Sequence, residues 1–300
     1  MRVTVTGASG LIGSALVAEL QEHGAAVTIL SRDPSRAQTP DGVQAMRWDP
    51  MNEPAPQAAL AGADAVVHLA GENVAQRWTE RAKQAILASR VTGTRNLLEG
   101  LATLEPRPRT LISGSAIGYY GAHGEEPLDE DAPAGNDFLA ETCVAWEAEA
   151  ERASALEMRV VRVRTGVVLD REGGALKKML PPFKLGIGGP VAGGSQYMSW
   201  IHREDLVGMI RVALADERWS GPVNGTAPEP VTNRDFSHAL GHALHRPSLL
   251  PVPGIALGLR YGEMAEIVTT GARVMPAKAL VLGYRFRHPE LDEALRSALS

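Results

Sequence analysis

MRVTVTGASGLIG, residues 1–13, reads as a short apolar strand, Met1 to Val5, running into a glycine-rich turn. After the turn, Leu11, Ala15, Leu16 and Leu20 recur at helical spacing. A glycine turn between a strand and a helix lets backbone approach a pyrophosphate. Gly7 permits the tight turn, Gly10 removes the side chain that would block the phosphates, and Gly13 lets helix and strand pack closely. The free N–H groups and the dipole at the helix start attract negative charge. Gly7, Gly10, Leu11, Ile12 and Gly13 are therefore expected to cradle a dinucleotide.

The next strand sharpens the cofactor. Ala25 to Leu30 is a β-rich run that stops at Ser31-Arg32. In this fold the tip of the second strand meets the adenosine ribose. An Asp or Glu there would accept from the 2′-hydroxyl of NAD. Arg32 instead offers a planar guanidinium suited to the 2′-phosphate of NADP(H), with Ser31 as a second donor and Arg36 as a helper. The competing reading of Arg32 is a solvated loop residue.

The 300 residues suit one large α/β domain or a nucleotide domain with a smaller appendage, and 44% apolar residues supply a substantial core. A net charge of −5 without a long single-sign run gives no electrostatic footprint for nucleic acid. No apolar stretch is long enough to span a bilayer, so no membrane partner is expected. The start of the chain shows no signal-peptide pattern, and the single cysteine, Cys143, fits a reducing cytoplasm.

Strand and helix signals alternate through the first half: strands at Val43–Trp48, Ala63–Gly71, Thr110–Ser113 and Arg159–Arg164, with helices after Thr79 and from Asp137 to Ala153. Near-continuous apolar strands in this rhythm predict an α/β, Rossmann-type doubly wound parallel sheet. The second half is looser. Helices are expected at 203–215, 233–245 and 289–299, and short strands at 198–202 and 222–224. The division expected is a nucleotide-binding domain over 1–170 and a smaller, mostly helical cap over 171–300 that returns one or two strands to the main sheet.

Leu69-Ala70-Gly71-Glu72-Asn73, Ser89-Arg90-Val91, Ser113-Gly114-Ser115-Ala116-Ile117-Gly118-Tyr119-Tyr120-Gly121, Arg164-Thr165-Gly166-Val167-Val168, Met198-Ser199-Trp200-Ile201-His202 and Asn224-Gly225-Thr226 follow in that order. The chain thereby resembles the extended short-chain dehydrogenase/reductase superfamily, and within it the atypical epimerase family with an extra C-terminal segment. The resemblance implies a Tyr-x-x-x-Lys pair, whose Tyr moves the proton and whose Lys lowers the Tyr pKa. No tyrosine here has a lysine four residues on. Counting back from Trp146-Glu147, Leu139 falls at the Tyr position and Cys143 at the Lys position.

Other groups become candidates. Ser115 matches the hydroxyl that orients a substrate oxygen, and Tyr119 or Tyr120 offers a phenol, with His123 nearby. Each could instead serve its own turn or cap a core. Leu69, Ala70, Gly71, Glu72, Arg90 and Ser113 are expected along the cofactor, as are Gly166 and Val168 near its nicotinamide end. Asp49 either accepts from the adenine or initiates a turn. Trp200 and His202, with Asp205 behind them, are expected on the substrate side. His238, His242 and His245 share a helical spacing but lack an acidic partner, and no metal is expected. Two functions remain open. One is an NADP(H)-dependent oxidoreductase or epimerase-like enzyme for a small polar carbonyl or hydroxyl compound. The other is a catalytically silent NADP(H)-binding sensor. The long flanking helices would allow a homodimer.

Overall fold

The computed structural model describes residues 1–36 and 40–300. The Arg36 side chain lies outside what is described. Seven strands form the main sheet: β1 (Arg2–Thr6), β2 (Ala26–Ser31), β3 (Gln44–Arg47), β4 (Ala65–His68), β5 (Thr110–Ala116), β6 (Arg159–Thr165) and β7 (Gly221–Gly225). Their order is β7-β6-β5-β4-β1-β2-β3, and every pairing is parallel. Val5 stands between Ile29 on β2 and Val67 on β4. Chain direction around the sheet reverses at the β1–β4 seam, so a crevice opens at their carboxyl ends.

Period-two alternation divides the core in two. Val3, Val5, Val67 and Val161 face one way, and Leu30, Val66, Leu111 and Val160 the other. The first face is covered by α1 (Leu11–Glu22) and, later in the chain, by the helix Arg203–Ala215, through Leu16, Leu20 and Ile210. The second is covered by α2 (Glu80–Ala102), through Leu97 and Leu101. The helix α3 (Phe138–Glu151) packs beside α2 and over β5, burying Cys143, Trp146 and Ala150. Thr79 and Asp137 start these two helices by accepting hydrogen bonds from Ala82 N and Ala140 N.

The second half is woven into the first. It donates β7 to the main sheet. Strand Trp200–His202 pairs with Val167–Leu169 in a small separate sheet. Arg273–Val274 pairs with Pro127–Leu128, which sequence patterning did not predict. A third core of Leu169, Leu176, Phe183, Trp200, Phe236 and Leu295 holds the cap together. Among the described residues no helix is long and apolar enough to cross a membrane.

Candidate active site

The glycine turn lies at the β1–β4 seam. Gly7 adopts φ +71°, and a Cβ there would sit 2.6 Å from the Leu69 carbonyl carbon, so only glycine fits. A Cβ on Gly13 would sit 2.3 Å from the Gly7 oxygen, which explains the close approach of turn and helix. Exposed Gly10 caps α1 without a side chain, and no acidic residue occupies the first turn. The N–H groups of Leu11, Ile12 and Gly13 thus lack intrahelical acceptors. Leu11 also packs under Gly173, at the start of the helix Gly174–Lys184.

Ser31 ends β2, and its hydroxyl accepts from Asp33 N at 3.2 Å. Arg32 is exposed beside it. Asp49 takes the turn role: its carboxylate accepts from Met51 N at 3.1 Å and Asn52 Nδ2 at 2.7 Å. Those hydrogen bonds, Asn52 first, hold its pKa below the usual carboxylate range.

Leu69 and Ala70 line the end of β4, where Ala70 N donates to Thr6 Oγ1 at 3.3 Å. Gly71 and Glu72 are exposed. Arg90 braces this loop from α2 by donating to Glu72 O at 3.1 Å and Ile86 O at 3.0 Å, with its guanidinium 5.1 Å from the Trp146 ring. Ser113 is buried, with its hydroxyl donating to Gly114 O at 3.1 Å.

Ser115 lies near the end of β5 and is directed at α3. Its hydroxyl donates to Glu147 Oε1 at 2.6 Å. The same carboxylate receives Arg164 from β6 in a fork, Nε to Oε1 at 2.8 Å and Nη2 to Oε2 at 2.9 Å. Arg164 Nη1 donates to the Tyr120 hydroxyl at 2.9 Å, and that hydroxyl donates to Asn224 Oδ1 at 2.6 Å. Asn224 N in turn donates to Glu130 Oε1 at 3.0 Å. Burial alone would lower the Arg164 pKa, but the Glu147 carboxylate outweighs it and raises the net value.

This network revises the tyrosine candidates. Tyr120 is fully buried with both hydroxyl functions used, and burial pushes its pKa up to about 12. It is a core hydrogen-bonding residue, out of reach of a substrate. Tyr119 is half-buried and lies face-on to the Arg164 guanidinium at 3.4 Å. Among the described residues its hydroxyl has no hydrogen-bond partner. Leu139 packs against Gly118, and Cys143 is buried beside Ser115, its thiol pushed up to about 11 by burial and the nearby Glu147 charge. Neither replaces the missing Tyr and Lys.

Gly166 follows β6 with its N–H donating to Gly225 O at 3.0 Å, and a Cβ there would meet Ser199 O at 2.4 Å. Val168 is buried in the small sheet. Trp200 is fully buried in the cap core, its indole N–H donating to Glu229 O at 3.0 Å, so it lines no cleft. His202 is also buried and starts the helix Arg203–Ala215, its Nδ1 accepting from Glu204 N at 3.2 Å. Asp205 accepts from Arg287 N and His288 N, which anchors the C-terminal segment.

His238, His242 and His245 are exposed. Among the described residues the one grouping at metal-ligand range is His202, Glu204 and His288, within 4.8 Å. There the His202 lone pair at Nδ1 is already an acceptor, and Glu204 is bonded to His288 Nε2 at 3.0 Å. Burial lowers the His202 pKa to about 4 and keeps it a neutral helix cap. Glu147, Arg164, Glu130 and Asn224 were not singled out from the sequence as site groups. For Glu147, Arg164 and Asn224 the signal was a polar side chain at a core-facing position of a helix or strand; Glu130 lies in a turn and carried no such signal.

Residues 3–224 match the NAD dependent epimerase/dehydratase family, and residues 252–298 match a domain of unknown function, DUF1731. An epimerase family protein of Mycobacterium tuberculosis is 41% identical over 295 residues, 98% of this chain and 96% of the relative. The chloroplastic homolog of epimerase family protein SDR39U1 from Arabidopsis thaliana is 39% identical, spanning 100% of this chain and 87% of its own. The crystal structure of human epimerase family protein SDR39U1 (isoform 2) with NADPH superposes with a TM-score of 0.91 at 36% identity, with 100% of both chains covered. The chain belongs to the NAD dependent epimerase/dehydratase family.

Proposed function

We propose that the chain is an NADP(H)-binding oxidoreductase or epimerase-like enzyme acting on a small polar carbonyl or hydroxyl compound without the Tyr-x-x-x-Lys pair. The observation that carries this reading is the glycine cradle. Gly7 leaves no space for a Cβ, and the open start of α1 offers N–H groups to a pyrophosphate. Leu11, Ile12 and Gly13 would hold the phosphates, and exposed Arg32 would meet a 2′-phosphate. Leu69, Ala70 and Gly71 would flank the adenosine half. The human relative crystallised with NADPH supports the same cofactor here.

When bound, the nicotinamide supplies or accepts a hydride. The proton side falls to this chain's own residues. Tyr119 is the phenol of the loop after β5 that is not sealed in the core. Ser115 spends its proton on Glu147 and so offers lone pairs to a substrate hydroxyl. The same observation favours a second reading, a cofactor-binding sensor without turnover, because neither Ser115 nor Tyr120 has a free proton to give.

Titration with NADPH and with NADH, followed by nicotinamide fluorescence, tests the assignment. A charge-assisted contact from Arg32 should favour NADPH by on the order of 1.5–3 kcal/mol, and Arg32→Ala should erase that preference. No binding of either nucleotide would sink both readings. Equal affinity for the two would sink the Arg32 assignment. Tight binding with no NADPH consumption across a carbonyl panel would favour the sensor, whereas consumption that collapses in Tyr119→Phe would favour the enzyme.

A further inference from the structure

Two neighbouring stretches of the cap carry exposed apolar side chains and no acidic residues of their own. The chain has 35 acidic residues, yet residues 173–203 and 236–262 contain none. These two stretches are laced together. Arg246 Nε donates to Lys184 O at 3.1 Å, Val252 N donates to Pro190 O at 2.8 Å, and Val191 bridges Val252. Gly186 lies against Pro247, and Gly189 lies against the Leu250 backbone.

From this doubled strap project Leu185, Ile187, Leu249, Leu250, Ile255 and Leu259. Ile255 and Leu259 sit four residues apart on the helix Gly254–Tyr261 and are 81% and 79% exposed, so the helix turns an apolar edge to solvent. Leu185 and Leu249 are exposed by 75% and 76%. Soluble monomers seldom group large aliphatic side chains in this way without a partner. Lys177, Lys178, Lys184 and Arg246 are exposed along the same stretches.

We propose that this face docks on an anionic lipid surface, with the aliphatic side chains in the interfacial layer and the lysines and arginine over the headgroups. Charge selects this occupant. A chain of net charge −5 would be repelled by an anionic surface at most orientations, and an apolar strap whose own charged residues are all basic gives it one orientation that is attracted. A second copy of the chain would instead set like charges against each other, with no carboxylates on either side to pair the cations. Lys178 also donates to Ala75 O, and Gly262 lies against Arg77. The face therefore borders the loop that follows β4 at the crevice. The inference does not depend on the cofactor assignment.

The test is co-sedimentation of the full chain with vesicles of equal parts phosphatidylglycerol and phosphatidylcholine, against phosphatidylcholine alone. Binding is expected to the anionic vesicles and to fall as salt rises. Two double variants are informative: Ile255→Ser with Leu259→Ser, and Lys177→Glu with Lys184→Glu. Each should reduce binding by about tenfold or more, since one surface-proximal cation is worth roughly fivefold in partitioning. All four positions are exposed, so thermal unfolding and nicotinamide nucleotide titration should be unchanged and report intact folding. Failure to sediment with anionic vesicles overturns the proposal, as does equal binding by both double variants. A dimer in light scattering that Ile255→Ser with Leu259→Ser dissociates, with no vesicle binding, would assign the face to a second copy.

Discussion

Glu147 connects three elements through two oxygens: the Ser115 hydroxyl on β5, the Arg164 fork on β6, and its own helix α3. Both partners of the ion pair are about 96% shielded, so neither charge has water to fall back on. Glu147→Ala leaves Arg164 buried with one phenol and one carbonyl as acceptors, and should lower the unfolding free energy by about 3–5 kcal/mol. Urea unfolding measures this. Replacing Glu147 and Arg164 together by leucine and methionine should recover much of the loss. If the single variant unfolds like the parent, the network is not a stability element. This was the least legible layer of the sequence. Ser115, Glu147 and Arg164 each stood in a motif, but the direction of the Ser115 proton depends on a partner 32 residues away. Adjacent Tyr119 and Tyr120 look equivalent in sequence. Only the packing of Tyr120 against Leu128 and Val274 separates a buried phenol from a half-buried one.

The glycine turn and the strands β1, β2, β4, β5 and β6 were readable because a buried parallel strand is a short apolar run and a glycine turn is punctuation that no other residue can supply. The short strand at residues 222–224 was visible, but its place beside β6 is decided by tertiary packing. The Arg273–Val274 strand has two residues and no period to detect. Helix starts were more legible. Thr79 caps the 23-residue α2 by accepting from Ala82 N at 3.2 Å, and Glu80 occupies its first turn. Thr79→Ala should therefore cost about 1 kcal/mol of stability, and Thr79→Ser or Thr79→Asp should cost little. Chemical denaturation of the three variants checks the ranking. A neutral Thr79→Ala would mean that the loop before α2 supplies another acceptor.

Across the whole molecule, the two halves cannot be separated without opening the core. The Tyr120 hydroxyl donates to Asn224 Oδ1 on β7, Lys278 N donates to Glu130, and Arg211 Nε donates to Glu19. Any pH-dependent strain in the nucleotide half is therefore felt as global stability. The strongest source is His68, at the end of β4 directly under the crevice. It is completely buried, bonded to Thr6 Oγ1 at 2.7 Å, and tilted against Trp48 with ring centroids 6.2 Å apart. Burial drives its pKa from 6.5 to about 4, so the folded protein holds it neutral where the unfolded chain would take up a proton. The sign follows: its contribution is complete above pH 6.5 and is lost as pH falls towards about 4, because only the unfolded state gains the proton. A shift of that size is worth on the order of 3 kcal/mol over the window. His68→Asn keeps an acceptor for Thr6 but cannot titrate. Urea unfolding at pH 7.5 and pH 4.5 should then show a smaller acid loss in the variant than in the parent, by on the order of 3 kcal/mol, whatever the variant's absolute stability. Equal pH slopes would mean that His68 is already protonated in the folded state or exposed to water within it.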